Sequence, residues 1–481
     1  MSGHLMRLRS TARLALALLG GPALAALAAP GAEAASLVTA HGAGYGHGVG
    51  MSQYGALGFA QHGFGYRDIL GHYYRGTRLG RLDGASEIRV LLQAGVREVR
   101  VDGAVRVAGE RSLRPETTYR LTATAAGAVA LRAPRGRVIA RYVAPLRLEA
   151  APGGALRLHG RAGNGVVGGL YRGAMELRPA TGGLNAINAA DLEDYVRGVV
   201  SGESPASWPA EALKAQAIAA RTYAIATTKG GAGFDHYPDV RSQVYNGVAG
   251  ERASTDAAVR ATDREVVTYG GRPVVTYFFS TSGGHTEDVE NAFLGSRPQP
   301  WLRGVEDPHD SASPRHRWSE RWTLSQAQSR LGGLVQGRFV GVEVLRRGTS
   351  PRVVAADVVG TAGRTRVTGP QLRARLGLPD SWVTFTTIIT DVRPPEPEPP
   401  KAAPGAKRAP QASALRILAG RVFPARAGRW VVVERRVAGA WRREVETRTG
   451  KGGAYRVRVT RPGEFRVRLG RVRGPRVVVR G

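Results

Sequence analysis

Glu203 is the side chain in this sequence best placed for acid–base chemistry. Gly202, Ser204 and Pro205 surround it, and these residue types predict a turn between two helical segments. A carboxyl group fixed in a turn can deliver a proton to a substrate that lies across the surface. Most carboxylates in turns are simply solvated, and the residues alone leave that alternative open.

Three further acidic residues, Asp191, Glu193 and Asp194, lie close to Glu203 in sequence. Cleavage of a glycosidic bond needs a proton donor, and most glycosidases add a second carboxylate as nucleophile or base. These three acids fall at the start of a predicted helix, Ala190 to Val199, where the helix dipole favours negative charge. Helix capping and surface solvation are therefore the competing explanation for all three.

The elements around Glu203 can be predicted from periodicity. A second helix is expected over Pro209 to Thr227, with proline in its first turn and glycines after its last. Its small residues, with Leu213, form one stripe that can pack closely against a sheet. Short alternating runs between Ile88 and Arg178, bounded by glycine and proline, predict strands. The fold class is therefore α+β.

Charge and cysteine content limit the kinds of partner and site. The formal net charge is +31, and the chain has no cysteine. A protein this basic attracts polyanions. Only five of its 69 basic residues are lysine, so the arginine bias of a GC-rich genome is an alternative source of the charge. Without cysteine, disulfides and thiolate metal sites are excluded.

The sequence around Glu203 resembles a known family. The run EDYVRGVVSGESPASWPAEALKAQAIAARTYAI is similar to the core motif of the stage II sporulation protein D family. Three later blocks are similar to motifs of that family in their usual order: SQVYNG at 242–247, YFFSTSGGHTEDVENAF at 277–293 and TGPQLRARLGL at 368–378. The block GYGHGVGMSQYGA at 44–56 also resembles a family motif, but one that lies near the C-terminus in the sporulation protein, so it looks circularly permuted here.

The resemblance implies lytic transglycosylation of peptidoglycan glycan strands, with Glu203 as the single catalytic acid and base. The nucleophile is the C6 hydroxyl of N-acetylmuramic acid, so no second carboxylate is needed. No cofactor is implied. Because some relatives are called amidase enhancers, a non-catalytic partner of a cell-wall amidase is an alternative function. A cell-wall-binding protein is a third.

The resemblance and the residue types together give a set of expected substrate contacts. His47, Gln53 and Tyr54 offer polar and stacking groups for a sugar, although the glycine-rich block can equally be a strand that closes the sheet. Lys214 and Arg221 can meet substrate carboxylates, or can be solvated charges on a helix. The matched motifs contribute the remaining expected contacts: Gln243, Tyr245, Ser280, Thr281 and Ser282.

A metal site is not expected. Some family members bind zinc through a histidine and cysteines before the QVY motif. Here His236 is present, but Ser242 stands where a cysteine would be, and the other histidines show no ligand spacing.

The chain is expected to divide into several parts. Residues 1–34 have a basic start, an apolar run and a small-residue ending, which predict a secretory signal and a location outside the cell or in the wall. Removing this segment leaves a charge of about +29. The polyanions available there are wall polymers, anionic lipid headgroups and the carboxylates of the substrate itself, and nucleic acid is not an expected partner. No transmembrane segment is expected. The β-rich catalytic domain with a few short helices covers 36–392, with the permuted motif at 36–80, strands at 86–180 and the catalytic core at 181–392. A proline-rich linker (393–412) and an all-β, immunoglobulin-like sandwich (413–481) follow.

Overall fold

The computed structural model describes residues 35–231, 233–393 and 416–480. The predicted signal and nearly all of the predicted linker lie outside the described residues. The described part is β-rich with several short helices, which confirms the prediction of an α+β fold. Within it, no helix combines the length and the apolar character needed to cross a bilayer.

The N-terminal block contributes one strand to each of three sheets and forms two helices. Its elements are β1 (Ala35–Ala43), β2 (Met51–Ser52), α1 (Gln53–Gln61), α2 (Tyr66–Tyr73) and β3 (Arg78–Arg81). The sequence prediction recognised neither helix, because glycines interrupt their apolar pattern. Helix α1 forms nonetheless, since the Ser52 hydroxyl accepts a hydrogen bond from Gly55 N–H at its start.

The next part is a pair of antiparallel sheets, as the alternating pattern predicted. Its strands are β4 (Glu87–Val96), β5 (Val99–Asp102), β6 (Ala104–Val107), β7 (Arg111–Ser112), β8 (Tyr119–Ala123), β9 (Val129–Arg132), β10 (Val138–Tyr142), β11 (Leu146–Ala150), β12 (Ala155–Leu158), β13 (Leu170–Arg172), β14 (Ala174–Ala180) and β15 (Gly183–Asp191). The sheet orders are β4-β15-β14-β11-β6-β7 and β10-β9-β8-β5-β12-β13. One apolar core joins residues of both sheets.

Helices follow directly after β15. The elements are α3 (Leu192–Glu203), α4 (Ala210–Ala226), α5 (Ala253–Ala261), β16 (Glu265–Tyr269), β17 (Arg272–Pro273), β18 (Phe278–Phe279) and α6 (Val289–Ala292). Short 3₁₀ turns lie at Gly247–Gly250, Asp310–Ala312, Gly332–Leu334 and Lys451–Gly453. Strand β16 pairs with β3, and β18 pairs in parallel with β2, so the N-terminal block is tied to this part of the chain.

Two helix predictions need correction. The helix predicted over Ala190 to Val199 begins instead at Leu192, because the preceding residues form β15 and the Asp191 side chain caps the helix by accepting from Glu193 N–H. It continues to Glu203, which is therefore the last helical residue and not part of a turn. Helix α4 is buried on almost every face, and not along one stripe, because α1, α2, α3, α5 and β16 pack around it.

The remaining elements build a sheet from distant parts of the chain. They are β19 (Arg317–Trp322), α7 (Leu324–Leu331), β20 (Phe339–Arg347), β21 (Val353–Gly360), β22 (Arg364–Thr368), α8 (Gly369–Leu376), β23 (Val383–Arg393), β24 (Arg416–Phe423), β25 (Trp430–Val437), β26 (Ala440–Arg448), β27 (Ala454–Val459), β28 (Gly463–Leu469) and β29 (Val472–Val479). The large sheet has the order β19-β1-β23-β24-β27. Strand β1 therefore lies inside it, between β19 and β23.

The C-terminal strands form two packed sheets, one of which continues into the rest of the molecule. Strands β26-β25-β28-β29 form the outer sheet, while β24 and β27 extend the large sheet from β23. The core between them contains Ile388 of β23 beside Val433 and Phe465. The immunoglobulin-like assignment and the division into domains stay predictions.

Candidate functional site

Glu203 is the last residue of helix α3, and the short segment that contains Val244 and Tyr245 crosses this end of the helix. Gly198 and Gly202 face this segment. A Cβ atom on Gly198 would lie 2.5 Å from the Tyr245 ring, and one on Gly202 would lie 3.0 Å from the Val244 carbonyl oxygen. Glycine at these positions therefore allows the segment to pack directly on the helix.

Both oxygens of the Glu203 carboxyl group accept hydrogen bonds. Oε1 accepts from the Val244 backbone N–H at 2.9 Å, and Oε2 accepts from Gln53 Nε2 at 3.3 Å. Burial raises the pKa of Glu203 above its ordinary value, and these two hydrogen bonds oppose the shift by stabilising the carboxylate. The negative end of the α3 dipole acts in the same direction as burial. The carboxyl group is thus tuned toward the protonated form while its side chain stays partly exposed.

Two tyrosines lie near the Glu203 carboxyl group, on the side that faces the protein interior. Burial, with the nearby Glu203 charge as a smaller cause, raises the pKa of Tyr223 to about 12 and that of Tyr195 well above its ordinary value. Both phenols therefore stay neutral in the physiological range. Tyr195 Oη donates to Gln243 Oε1 at 3.0 Å, and Gln243 Nε2 donates to the Ala220 carbonyl. Gln243 thus fixes the segment that supplies the Val244 N–H.

An aromatic pair lies beside the carboxyl group. Tyr54 follows Gln53 in α1, and its ring packs edge-on against Trp208 at 5.2 Å between centroids. Its backbone N–H donates to the Ser280 carbonyl at 3.0 Å. Tyr54, Trp208 and Ser280 are all partly exposed. This edge therefore offers aromatic surface and a hydroxyl beside Gln53, whose amide contacts Glu203.

The glycine-rich loop between β1 and β2 wraps around a buried ion pair. Arg352 contacts both carboxylate oxygens of Asp380 at 2.9 Å, and the two side chains are almost completely buried. Gly44 and Gly48 have φ values of +81° and +88°, and a Cβ atom on either would lie within 2.8 Å of Asp380 or Arg352. This pair thereby holds the loop that leads into β2 and Gln53.

His47 lies in the same loop but is enclosed by aromatic rings. Its ring packs against Tyr277, Phe279 and Phe293 at centroid distances of 5.2 to 5.9 Å, and Nδ1 accepts from Val49 N–H. Burial, helped by nearby arginines, lowers the pKa of His47 to about 3. The ring is neutral and acts as packing for the loop.

Five of the expected substrate contacts lie in the interior. They are Arg221, Gln243, Tyr245, Thr281 and Ser282. Arg221 makes two hydrogen bonds to the Glu193 carboxylate at 2.6 and 2.7 Å. Tyr245 Oη donates to Asn188, Thr281 Oγ1 contacts Ser313, and Ser282 Oγ donates to Asp310. Because their polar groups have internal partners, these side chains support the site from within, and we do not assign them substrate contacts.

Lys214 is accessible but faces a different part of the surface. Its Nζ donates to Glu211 at 2.7 Å and lies over the Tyr66 ring at 5.6 Å, where α4 meets α2. The residues that the structure brings together are therefore Glu203, Gln53, Tyr54 and Ser280. To these it adds Val244, Trp208 and Tyr223, which the sequence prediction missed. Of these three residues, only Trp208 could have been recognised from the sequence, because it lies in the run ESPASWP that begins at Glu203.

The histidine considered for a metal is used structurally. His236 is fully buried between α4 and β4, and its Nε2 contacts the Ala224 carbonyl at 2.8 Å. The Ser242 hydroxyl accepts from Tyr237 N–H. Across residues 35–231, 233–393 and 416–480, no group of three or more possible metal ligands comes together.

Comparisons with known proteins bear on the region that holds Glu203. Residues 180–269 match the model of a family described as stage II sporulation protein. The chain is 32% identical over 204 residues to Stage II sporulation protein D of Bacillus subtilis, which covers 39% of this chain and 58% of that protein. It is 40% identical over 138 residues to an uncharacterized protein of Brachyspira hyodysenteriae, covering 28% and 37% of the two chains.

A further relative carries a different name. The chain is 38% identical over 134 residues to the amidase enhancer of Bacillus subtilis, which covers 28% of this chain and 17% of that protein. These alignments therefore span between 17% and 58% of the length of the three relatives. No solved structure gives a significant match. The region around Glu203 is therefore similar to the stage II sporulation protein D and amidase enhancer family.

Proposed function

We propose that this protein acts in the bacterial cell wall as a lytic transglycosylase that cleaves the glycan strands of peptidoglycan. The observation that carries the proposal is the Glu203 carboxyl group, which is partly exposed at the end of α3, has a raised pKa and accepts hydrogen bonds from Val244 and Gln53. A general acid works best when its pKa lies near the working pH. The location we propose is secreted or wall-bound.

The reaction needs one carboxyl group that first gives and then takes a proton. Protonated Glu203 donates to the oxygen that leaves N-acetylmuramic acid, and the bond from C1 to that oxygen breaks. The Glu203 carboxylate then accepts the proton of the C6 hydroxyl, whose oxygen bonds to C1 and closes a 1,6-anhydro ring. Proton count is balanced and no water is consumed. The Val244 and Gln53 hydrogen bonds stabilise the carboxylate between the two transfers.

The neighbouring residues have supporting roles in this proposal. Tyr54 and Trp208 provide aromatic surface on which a sugar ring can pack, and Ser280 provides a hydroxyl beside them. Tyr223 and Tyr195 exclude water from the inner side of the carboxyl group. Excluding water favours ring closure by the C6 hydroxyl over hydrolysis.

The test is Glu203→Gln, which keeps the size of the side chain and removes its transferable proton. We expect this variant to release at least about a hundredfold fewer 1,6-anhydro ends from purified peptidoglycan, with or without stem peptides, when products are measured by mass spectrometry. The matched control is Glu116→Gln, which removes an exposed carboxylate in a turn distant in sequence from the site. A fully active Glu203→Gln protein would contradict the assignment.

A second candidate function is stimulation of a cell-wall amidase, favoured by the 38% identity to the amidase enhancer. The same proteins test it when amidase is added and peptide release is measured. If wild type and Glu203→Gln both stimulate the amidase and neither releases anhydro ends, this second function replaces the first.

A further inference from the structure

The strands after the predicted linker carry an unusual share of the charge. Residues 416–480 contain 19 basic and four acidic side chains, a net charge of +15, against +31 for the whole chain. A charge this dense on one small part of a protein focuses the field there and attracts polyanions. The distribution of this charge over the two faces of the C-terminal pair of sheets decides where a ligand can bind.

On the outer sheet much of the charge is neutralised by neighbouring carboxylates. Glu434 accepts from Arg466 at 2.6 Å and from Arg468 at 2.8 Å, and Arg436 pairs with Glu464 at 3.1 Å. Ion pairs therefore engage several of the arginines on this face.

The other face differs, because arginines line an open cavity there. The exposed face of β23, β24 and β27, with the end of β26, encloses about 650 Å³. Arg393, Arg421, Arg448 and Arg456 all line this cavity, and all four are exposed. Among the described residues that line it, the one carboxylate, Asp391, pairs with Arg393 at 2.9 Å. Within the described residues no carboxylate pairs with Arg421 or Arg448, so the cavity keeps net positive charge.

Arginine side chains suit phosphate and carboxylate groups, since the guanidinium can donate two parallel hydrogen bonds. Several arginines around one open cavity fit a ligand with repeated negative charges better than a single small anion. Nucleic acid would add base stacking on open aromatic faces. Here Arg448 lies over one face of the Trp430 ring and Arg466 over one face of the Trp441 ring, each at 4.3 Å. Neither tryptophan is among the described residues that line the cavity, and the aromatic residue that does line it, Tyr455, is buried. The described lining thus offers charge without an open aromatic face.

We propose that the arginine-lined cavity formed by β23, β24, β26 and β27 binds a linear polymer of polyol units joined by phosphodiesters. Its phosphates would pair with Arg421 and Arg448, the two lining arginines for which the described residues provide no carboxylate partner. The site contains none of the residues around Glu203. Binding therefore does not depend on the proposed cleavage reaction.

The experiment measures binding of the full chain to poly(glycerol phosphate) by calorimetry at several salt concentrations. The double variant Arg421→Gln/Arg448→Gln is compared with Arg272→Gln/Arg297→Gln, which removes the same charge from exposed positions elsewhere. We expect the cavity variant to bind about tenfold more weakly or worse, and its salt dependence to fall by about one counterion for each arginine removed. The control variant should stay within about twofold of wild type.

Three outcomes would overturn the proposal. Equal weakening in both double variants would assign binding to overall charge. Tighter binding of single-stranded DNA than of the polymer, at matched phosphate concentration, would assign the cavity to nucleic acid. The third outcome concerns the chain's own carboxylates, because Glu396 and Glu398 follow shortly after Arg393. If a Glu396→Gln/Glu398→Gln variant is less stable than wild type and binds the polymer no more tightly, the cavity is assigned to these two glutamates. We expect the Glu203→Gln variant to bind the polymer as tightly as wild type does. This result would show that polymer binding is independent of the proposed catalysis.

Discussion

Glu203 combines two opposing influences on one carboxyl group. Burial and the end of α3 favour its protonated form, while the Val244 N–H and the Gln53 amide stabilise the charged form. The net result is a raised pKa, so this residue is held at some cost in folding stability whenever it is ionised. That cost is measurable without any substrate.

Glu203→Gln is therefore expected to stabilise the fold in a pH-dependent way. The pKa of Glu203 is raised in the folded protein, so the folded state binds more protons than the unfolded state and its stability falls as pH rises above the ordinary glutamate pKa. At pH 7 the variant should melt at a higher temperature than wild type, and below about pH 4 the two should coincide, because wild type is then protonated as well. Glu116→Gln should show no such pH-dependent gain, and the same absence in Glu203→Gln would refute the raised pKa.

At the scale of elements, α3 is fixed to its surroundings by charge at its first turn. Asp191 caps the helix, and Glu193 holds the guanidinium of Arg221, which is wholly buried in α4. Arg221 Nη1 also donates to the Glu265 carbonyl, and Nη2 donates to the Val259 carbonyl. The position of Glu203 at the far end of α3 depends on this anchor.

Two variants in the first turn of α3 separate capping from charge pairing. Glu193→Gln leaves the buried Arg221 charge without its carboxylate and should lower the free energy of unfolding by about 3 kcal/mol. Asp191→Asn should cost less than about 0.5 kcal/mol, because asparagine caps a helix as well as aspartate does. Denaturant unfolding measures both. Similar costs for the two changes would mean that the Glu193 to Arg221 pair adds little.

Some of these elements could be predicted from sequence and others could not. Helix α8 could, since Thr368 and Gln371 form a capping box and Gly377 ends the helix with a φ of 68°. Glu203 was recognised as the candidate acid because its motif is local. The Gln53 and Val244 contacts could not be predicted, because they join residues that are far from Glu203 in sequence. The inward orientation of Arg221 was missed because its pattern is that of a solvated helix residue.

At the scale of the whole molecule, the C-terminal strands complete a core that begins before the predicted linker. Ile388 of β23 is fully buried among Val433, Phe465 and their neighbours, and β24 pairs with β23 from Thr387 to Arg393. Removing these strands would expose Ile388 and an unpaired strand edge. The C-terminal part is thus both a binding surface in our proposal and a cover for β23.

A chain that ends at Arg393 is accordingly expected to be less stable than the full chain. Uncovering Ile388 alone should cost about 2 kcal/mol, and the open edge of β23 should promote self-association. Denaturant unfolding and sedimentation velocity measure the two effects. The control is Trp430→Ser in the full chain, which changes an exposed side chain and should leave both unchanged. A truncated chain that is monomeric and as stable as the full chain would show that β23 needs no cover.

The place of β1 inside the large sheet has a consequence for the order in which the molecule forms. Both neighbours of β1 come late in the chain, with Val38 opposite Trp322 on one side and Thr387 on the other. The first described strand therefore cannot pair with β19 before Trp322 has been made, or with β23 before Val383 and the residues after it have been made. Contacts between residues so distant in sequence require a large loop to close and slow the folding reaction. Until then β1 has two open edges, and the growing chain is exposed to mispairing with its neighbours.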